Sequence, residues 1–182
     1  FNFKNKIILM DFFNKLDEYS SNISIIDENL NSFTYKDLLF LADKLGKNIR
    51  ERETVFLICK NSYEFVAAYV GLIRAKVVIF FINNSIAKEK LHYLINHYKP
   101  NYVLAPKEKN LPNIKLKKIF NLNKQYSLFK TNFKIKHKIH CDLALLMTTS
   151  GSTGSPKFVK LSYLNLIDNA TKIAKSLNIK YS

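Results

Sequence analysis

Two apolar runs of strand length, residues 55–59 (Val-Phe-Leu-Ile-Cys) and 77–82 (Val-Val-Ile-Phe-Phe-Ile), flank one helix-forming stretch, and this spacing narrows the possible folds more than anything else in the chain. Each run is continuous rather than alternating, so both of its faces need cover, as in a strand buried between two helical layers. Ser62 is placed to cap a helix that runs through Arg74. Phe65, Val66, Ala68, Tyr69, Leu72 and Ile73 spread apolar surface around most of that helix, which predicts deep burial. Strand, helix and strand together have the length of a parallel crossover. The expected fold is therefore α/β, a mostly parallel sheet flanked by helices on both faces.

The remaining segments fit around that unit. Residues 10–19 predict a short helix with Phe12, Phe13 and Leu16 inward, 23–27 a strand, and 29–32 a turn. Thr34 then opens a helix with Asp37 completing a capping box, and Leu38, Ala42, Leu45 and Ile49 recur at helical spacing. Residues 83–85 read as a turn, 87–98 as a helix, and 102–104, after Pro100, as a third strand. From 106 to 138 the pattern is irregular, with surface loops expected and a short strand at 119–122. Residues 143–147 and 158–161 read as strands, and Ser162 caps a last helix with Ile167, Ala170, Thr171, Ala174 and Leu177 on one face. There is no internal repeat and no low-complexity linker.

At 182 residues, 47% of them apolar, the chain can bury one substantial core and is not a disordered sequence. No apolar run approaches the roughly 18 residues of a membrane span. The longest, 65–82, is broken by Arg74 and Lys76. The first residues lack a signal-peptide pattern, because the apolar stretch 7–10 is short and Asp11 follows it. Cys59 and Cys141 each lie in apolar surroundings, so reduced, buried thiols and a cytoplasmic location are expected. The net charge of +15 is uneven, with ten lysines against the single acid Glu108 between residues 107 and 138. Without an arginine-rich or aromatic-interleaved module, this excess reads as solvated surface rather than a nucleic-acid site. His92 and His97 are five apart, and His137 and His140 three apart with Cys141 adjacent. Neither pair has further ligands at a recognised spacing, so no metal centre is expected. Ser150 and Ser152 lack the Gly-x-Ser-x-Gly elbow of a hydrolase.

Residues 148–157, Thr-Thr-Ser-Gly-Ser-Thr-Gly-Ser-Pro-Lys, concentrate hydroxyls, two glycines and a lysine directly after an apolar strand. Unobstructed backbone N–H groups, hydroxyl donors and an ammonium suit polyphosphate oxygens. This is not a Walker A loop, since Pro156 stands where glycine must precede the lysine. Residues 146–157 resemble instead the phosphate-loop signature of the adenylate-forming superfamily: acyl-CoA synthetases, aryl-acid ligases, nonribosomal-peptide adenylation domains and luciferases. The match continues into Val159, Ser162 and Asn165, and the Thr34–Tyr35 helix start resembles the beginning of the same superfamily. Phe158 departs from the glycine that usually follows the lysine. Tyr163 stands where histidine is frequent, near residues that shape the acyl-substrate side of the pocket in relatives. Lys76 replaces a glycine common after the Arg-Ala pair, so that helix must end without a glycine cap.

The resemblance implies that residues 1–182 form an N-terminal fragment of a large AMP-binding domain, with the C-terminal domain absent. Residues 1–105 would be its βαβ-rich part, 106–140 a basic loop-rich segment, and 141–182 the phosphate-loop hairpin and following helix. It implies ATP-dependent activation of a small carboxylic acid as an acyl-adenylate, with acyl transfer to CoA or a carrier protein. Thr149, Ser150, Gly151, Ser152, Thr153, Gly154 and Lys157 would bind the nucleotide phosphates, with Thr153 and Lys157 also catalytic. Mg2+ would accompany ATP, its ligands mainly outside these residues. Such a fragment is expected to be inactive alone and to expose an apolar sheet margin. The alternative is a non-catalytic domain that binds a nucleotide or a partner through the same loop.

Overall fold

The computed structural model describes residue 13 and residues 15–133, 139–148 and 158–179. A 3-10 turn, Lys15–Tyr19, leads into a small hairpin of β1 (Ile23–Ile26) and β2 (Ser32–Thr34). There follow α1 (Tyr35–Gly46), β3 (Thr54–Cys59), α2 (Tyr63–Arg74), β4 (Val78–Asn83), α3 (Lys88–Tyr98) and β5 (Tyr102–Pro106). Then come β6 (Leu116–Leu122), β7 (Tyr126–Thr131), β8 (Leu143–Thr148), β9 (Phe158–Ser162) and α4 (Tyr163–Ser176).

Strands β3 to β9 make one sheet in the order β6-β7-β5-β3-β4-β8-β9. The central β5, β3, β4 and β8 are parallel, whereas β7 and β9 run against their neighbours. The sheet is thus mostly parallel, as expected.

Alternate residues of each central strand enter opposite cores. Val55, Leu57, Ile79 and Leu104 pack on one face with α1 and α2, while Phe56, Ile58, Phe80 and Val103 pack on the other with Leu91, Leu94 and Ile95 of α3. Both faces are covered, which is why the strands read as unbroken apolar runs.

The capping signals act as read. The Thr34 hydroxyl accepts from the Asp37 N–H at 3.2 Å, and the Asp37 carboxylate accepts from the Thr34 N–H at 2.9 Å. Ser162 and Asn165 repeat the arrangement at α4. Helices α1 and α2 approach so closely at Gly71 that a Cβ there would lie 2.4 Å from the Ala42 carbonyl oxygen. At the end of α2, Lys76 adopts φ 54° in the position where glycine would be unstrained. Its N–H donates to the Ile73 carbonyl at 2.9 Å, and that of Val77 to Leu72 at 3.0 Å, the double bond pattern of a glycine-type helix end built on lysine.

Four expectations need correction. Between 106 and 133 the chain is not surface loop with one short strand, because β6, which contains the expected strand at 119–122, pairs with β7 in an antiparallel hairpin that adds two strands to the sheet and buries Leu122, Tyr126 and Leu128, while 134–138 lie outside the described residues. Ser32 belongs to a strand rather than to the preceding turn. Lys15–Tyr19 is a 3-10 turn rather than an α-helix, though Phe13 and Leu16 are partly buried against the core as read, and most of the start of the helix expected at 10–19 lies outside the described residues. Both cysteines are free, but Cys141 is exposed rather than buried. Val159 on β9 and Leu164, Ile173 and Leu177 on or just after α4 are 40–67% exposed, and α4 buries no residue fully. Among the described residues, no helix is long and apolar enough to cross a membrane.

Candidate functional site

The parallel strands β3, β4 and β8 end on one side of the sheet at Cys59, Asn83 and Thr148. Strand carboxyl ends are where open α/β sheets bind ligands. Thr148 is paired with Phe158 across the β8/β9 ladder. The nine residues between them therefore leave the sheet and return to it at adjacent backbone positions, on the carboxyl side. Thr149, Ser150, Gly151, Ser152, Thr153, Gly154 and Lys157 all belong to that segment and lie outside the described residues.

The frame that carries the segment is specific. Phe158 does not mimic the smaller residue usual after the lysine. Its ring meets Tyr98 edge-on at 4.9 Å and Phe80 edge-on at 5.1 Å, and Phe80 lies 5.5 Å from Tyr98. This aromatic group ties the returning end of the segment to α3 and β4, adding about 0.5–1.5 kcal/mol per ring pair beyond buried area.

Tyr163 occupies a different place. β9 runs back along β8, so Tyr163 follows Ser162, the partner of Leu143 at the amino end of β8. Five residues of strand, roughly 16 Å, separate that end from Thr148. Burial pushes the Tyr163 phenol up, partly opposed by the charge of Arg52. The structure thus sets Tyr163 at the far end of the sheet from the Thr148–Phe158 mouth.

Around the carboxyl ends, several polar groups are already engaged. The Lys60 ammonium pairs with Glu108 and, by that hydrogen bond first, holds its carboxyl below the usual range. Lys109 donates to the carbonyls of Asn84 and Ile86. Glu64, buried in the first turn of α2, accepts from the Asn123 side chain at 3.0 Å. The Cys59 thiol is pushed up to about 11 by burial, partly offset by a hydrogen bond from the Ile82 backbone, and stays protonated at neutral pH.

A second cluster joins Asp142 to the His140–Cys141 pair, from which the sequence alone led to no metal centre. His140, Cys141 and Asp142 place their ligand atoms within 4.8 Å of one another, just before β8. Spacing rules look for separated ligand pairs, whereas these are consecutive and meet through a turn. His137 lies outside the described residues. His92 and His97 stand exposed on α3, where His97 stacks with Tyr93 at 5.6 Å.

Comparison with known proteins places this geometry among relatives. A family model described as AMP-binding enzyme matches residues 12–181. The chain is 24% identical to the acyl-CoA ligase sidI of Aspergillus fumigatus over 187 residues, covering 81% of this chain and 32% of that protein. It is 25% identical to the D-alanine–D-alanyl carrier protein ligase of Staphylococcus haemolyticus over 145 residues, covering 79% and 29%. The fold matches ATP-bound MatB from Rhodopseudomonas palustris with a TM-score of 0.70 at 20% identity, covering 92% of this chain and 37% of that one. The chain thus spans about a third of the length of these relatives.

Proposed function

Because the chain belongs to the AMP-binding enzyme family, we propose that it carries the triphosphate-gripping part of an ATP-dependent, AMP-forming acid ligase. One observation supports this reading most: the segment bearing hydroxyls, glycines and Lys157 hangs between the paired residues Thr148 and Phe158, at the carboxyl ends of the parallel strands. Backbone N–H groups and hydroxyls of Thr149, Ser150, Gly151, Ser152, Thr153 and Gly154 would meet the phosphate oxygens. Lys157 would oppose the charge that builds on departing pyrophosphate.

In this reading a small carboxylic acid attacks the α-phosphate of ATP, giving an acyl-adenylate and pyrophosphate. Bringing two anions together is the main electrostatic obstacle, so donors preset around the triphosphate carry much of the work. Mg2+ would accompany the nucleotide, and we assign no described carboxylate to it. A thiol acceptor, CoA or a carrier protein, would follow, in keeping with the two kinds of ligase among the relatives. A cytoplasmic setting, where ATP is available, belongs to the same reading.

Calorimetric titration with pyrophosphate and with Mg-ATP tests it. Lys157→Ala is expected to weaken pyrophosphate binding by about 2 kcal/mol, roughly thirtyfold, the worth of a charge-assisted contact. Thr153→Ala should weaken it less. In a polypeptide competent for ATP–pyrophosphate exchange, both variants should slow exchange strongly. Equal binding by Lys157→Ala and the unaltered protein would refute the assignment. Binding that depends on Lys157, with no exchange on any carboxylic acid, would favour the non-catalytic nucleotide-binding alternative.

A further inference from the structure

We propose that His140, Cys141 and Asp142 form a surface site for a thiophilic divalent cation such as Zn2+, at the amino end of β8 and separate from the proposed phosphate-binding segment. Cys141 Sγ lies 3.5 Å from Asp142 Oδ1, and His140 Nδ1 lies 3.8 Å from Asp142 Oδ2. All three ligand atoms fall within 4.8 Å of one another. With bonds of about 2.0 Å to nitrogen and oxygen and 2.3 Å to sulfur, a tetrahedral ion needs ligand atoms roughly 3.3–3.7 Å apart. The short approaches use different Asp142 oxygens, so the three side chains converge without yet closing a tripod, and rotation of these surface side chains would bring one ligand atom of each onto a common ion. Nitrogen, sulfur and oxygen together are the donor set of zinc rather than of magnesium or calcium. Water would occupy the fourth position.

The backbone beneath the tripod is fastened independently of any ion. The Arg52 guanidinium donates to the Leu143 carbonyl at 2.9 Å and to the His140 carbonyl. The Leu143 N–H donates to His140 O at 3.1 Å, closing the turn, and the Tyr163 N–H donates to Asp142 O at 3.1 Å. The Asp142 N–H donates to His140 Nδ1 at 3.3 Å, so the lone pair of that nitrogen is turned to the adjacent backbone. An ion would replace this weak contact. Turn, strand and helix cap thus hold three consecutive ligands in a converging arrangement, which removes much of the ordering cost of binding. On ligation the Cys141 thiol loses its proton to solvent, and the electron pair left on sulfur forms the bond to the ion.

Cobalt(II), a spectroscopic stand-in for zinc, tests the site in the purified protein. Titration is expected to give a thiolate-to-cobalt charge-transfer absorption saturating at one ion per chain, and Zn2+ should abolish it by displacement. Cys141→Ser should eliminate the band. His140→Ala and Asp142→Asn should each weaken cobalt affinity by more than about tenfold, since even groups one shell out are worth that much. All three side chains are at the surface, and unchanged circular dichroism would verify that the variants fold. No band in the unaltered protein, a band that survives Cys141→Ser, or affinities unchanged in the other two variants would each overturn the proposal.

Discussion

The Tyr126 hydroxyl donates to the Ile58 carbonyl at 2.9 Å, and the same oxygen accepts the Lys60 N–H at 3.1 Å. A side chain from the antiparallel end of the sheet thereby satisfies backbone groups where the central β3 runs out. Burial pushes this phenol well above its ordinary range, so it remains a donor at any working pH. Tyr126→Phe strands both backbone groups and should lower the unfolding free energy by about 1–3 kcal/mol, read from urea denaturation with little change in m-value.

Gly71 and Gly46 make a contrasting pair. A methyl at Gly71 would meet the Ala42 carbonyl oxygen at 2.4 Å, so α1 and α2 would have to separate. Gly71→Ala should cost about 2–3 kcal/mol through overpacking. At Gly46 the nearest atoms would be 3.5 Å away. Gly46→Ala should be tolerated, or should stabilise by a few tenths of a kcal/mol through helix propensity, roughly. Thermal melts of the two variants should move in opposite directions, or at least very unequally.

Lys76 holds a left-handed backbone that an L side chain resists. Its ammonium is 3.7 Å from the Glu51 carboxylate, an exposed pair worth little. Lys76→Gly should therefore stabilise the protein by about 1 kcal/mol, with the relief of strain outweighing the added freedom of the unfolded chain. Chemical denaturation measures the gain.

The two thiols should differ in reactivity and in pH linkage. Exposed Cys141 should react with a thiol reagent at neutral pH well before half-buried Cys59. The Cys59 thiol moves from 9.0 to about 11 on folding because burial disfavours the thiolate. The folded state thus binds this proton more tightly. Its contribution is whole below about pH 9 and is lost as pH rises towards 11. Cys59→Ala should flatten the fall in stability across that window, measured by denaturant titrations at several pH values.

How much was legible varies by element, for physical reasons. The β3–α2–β4 unit could be read directly because two-sided burial makes each strand uniformly apolar, and Ser62 marks the helix start through its bond to the Phe65 N–H. β7 was hidden, and of β6 only the part at 119–122 was legible. A register shift between Lys118 and Phe120 breaks the alternation that betrays a half-buried strand, and the lysines of an edge strand resemble those of a loop. β2 was masked by Thr34, which ends that strand and caps α1 at once. For the candidate site, the phosphate-binding residues come from the sequence. The Thr148–Phe158 pairing that bounds their segment, and the aromatic anchorage of Phe158, depend on partners far along the chain. Asp142 escaped notice because its meeting with His140 and Cys141 depends on a turn fixed by Arg52, 88 positions from His140.

The placement of β8 has a bearing on how the chain is born. β4 is complete at Asn83, but its outer neighbour begins only at Leu143. On the ribosome, the apolar flank of β4 therefore emerges well before the segment that covers it, and docking of β8 must close a long loop first. During that interval a bare strand edge invites pairing with other nascent chains. Shielding of that edge until β8 arrives should accordingly favour correct folding.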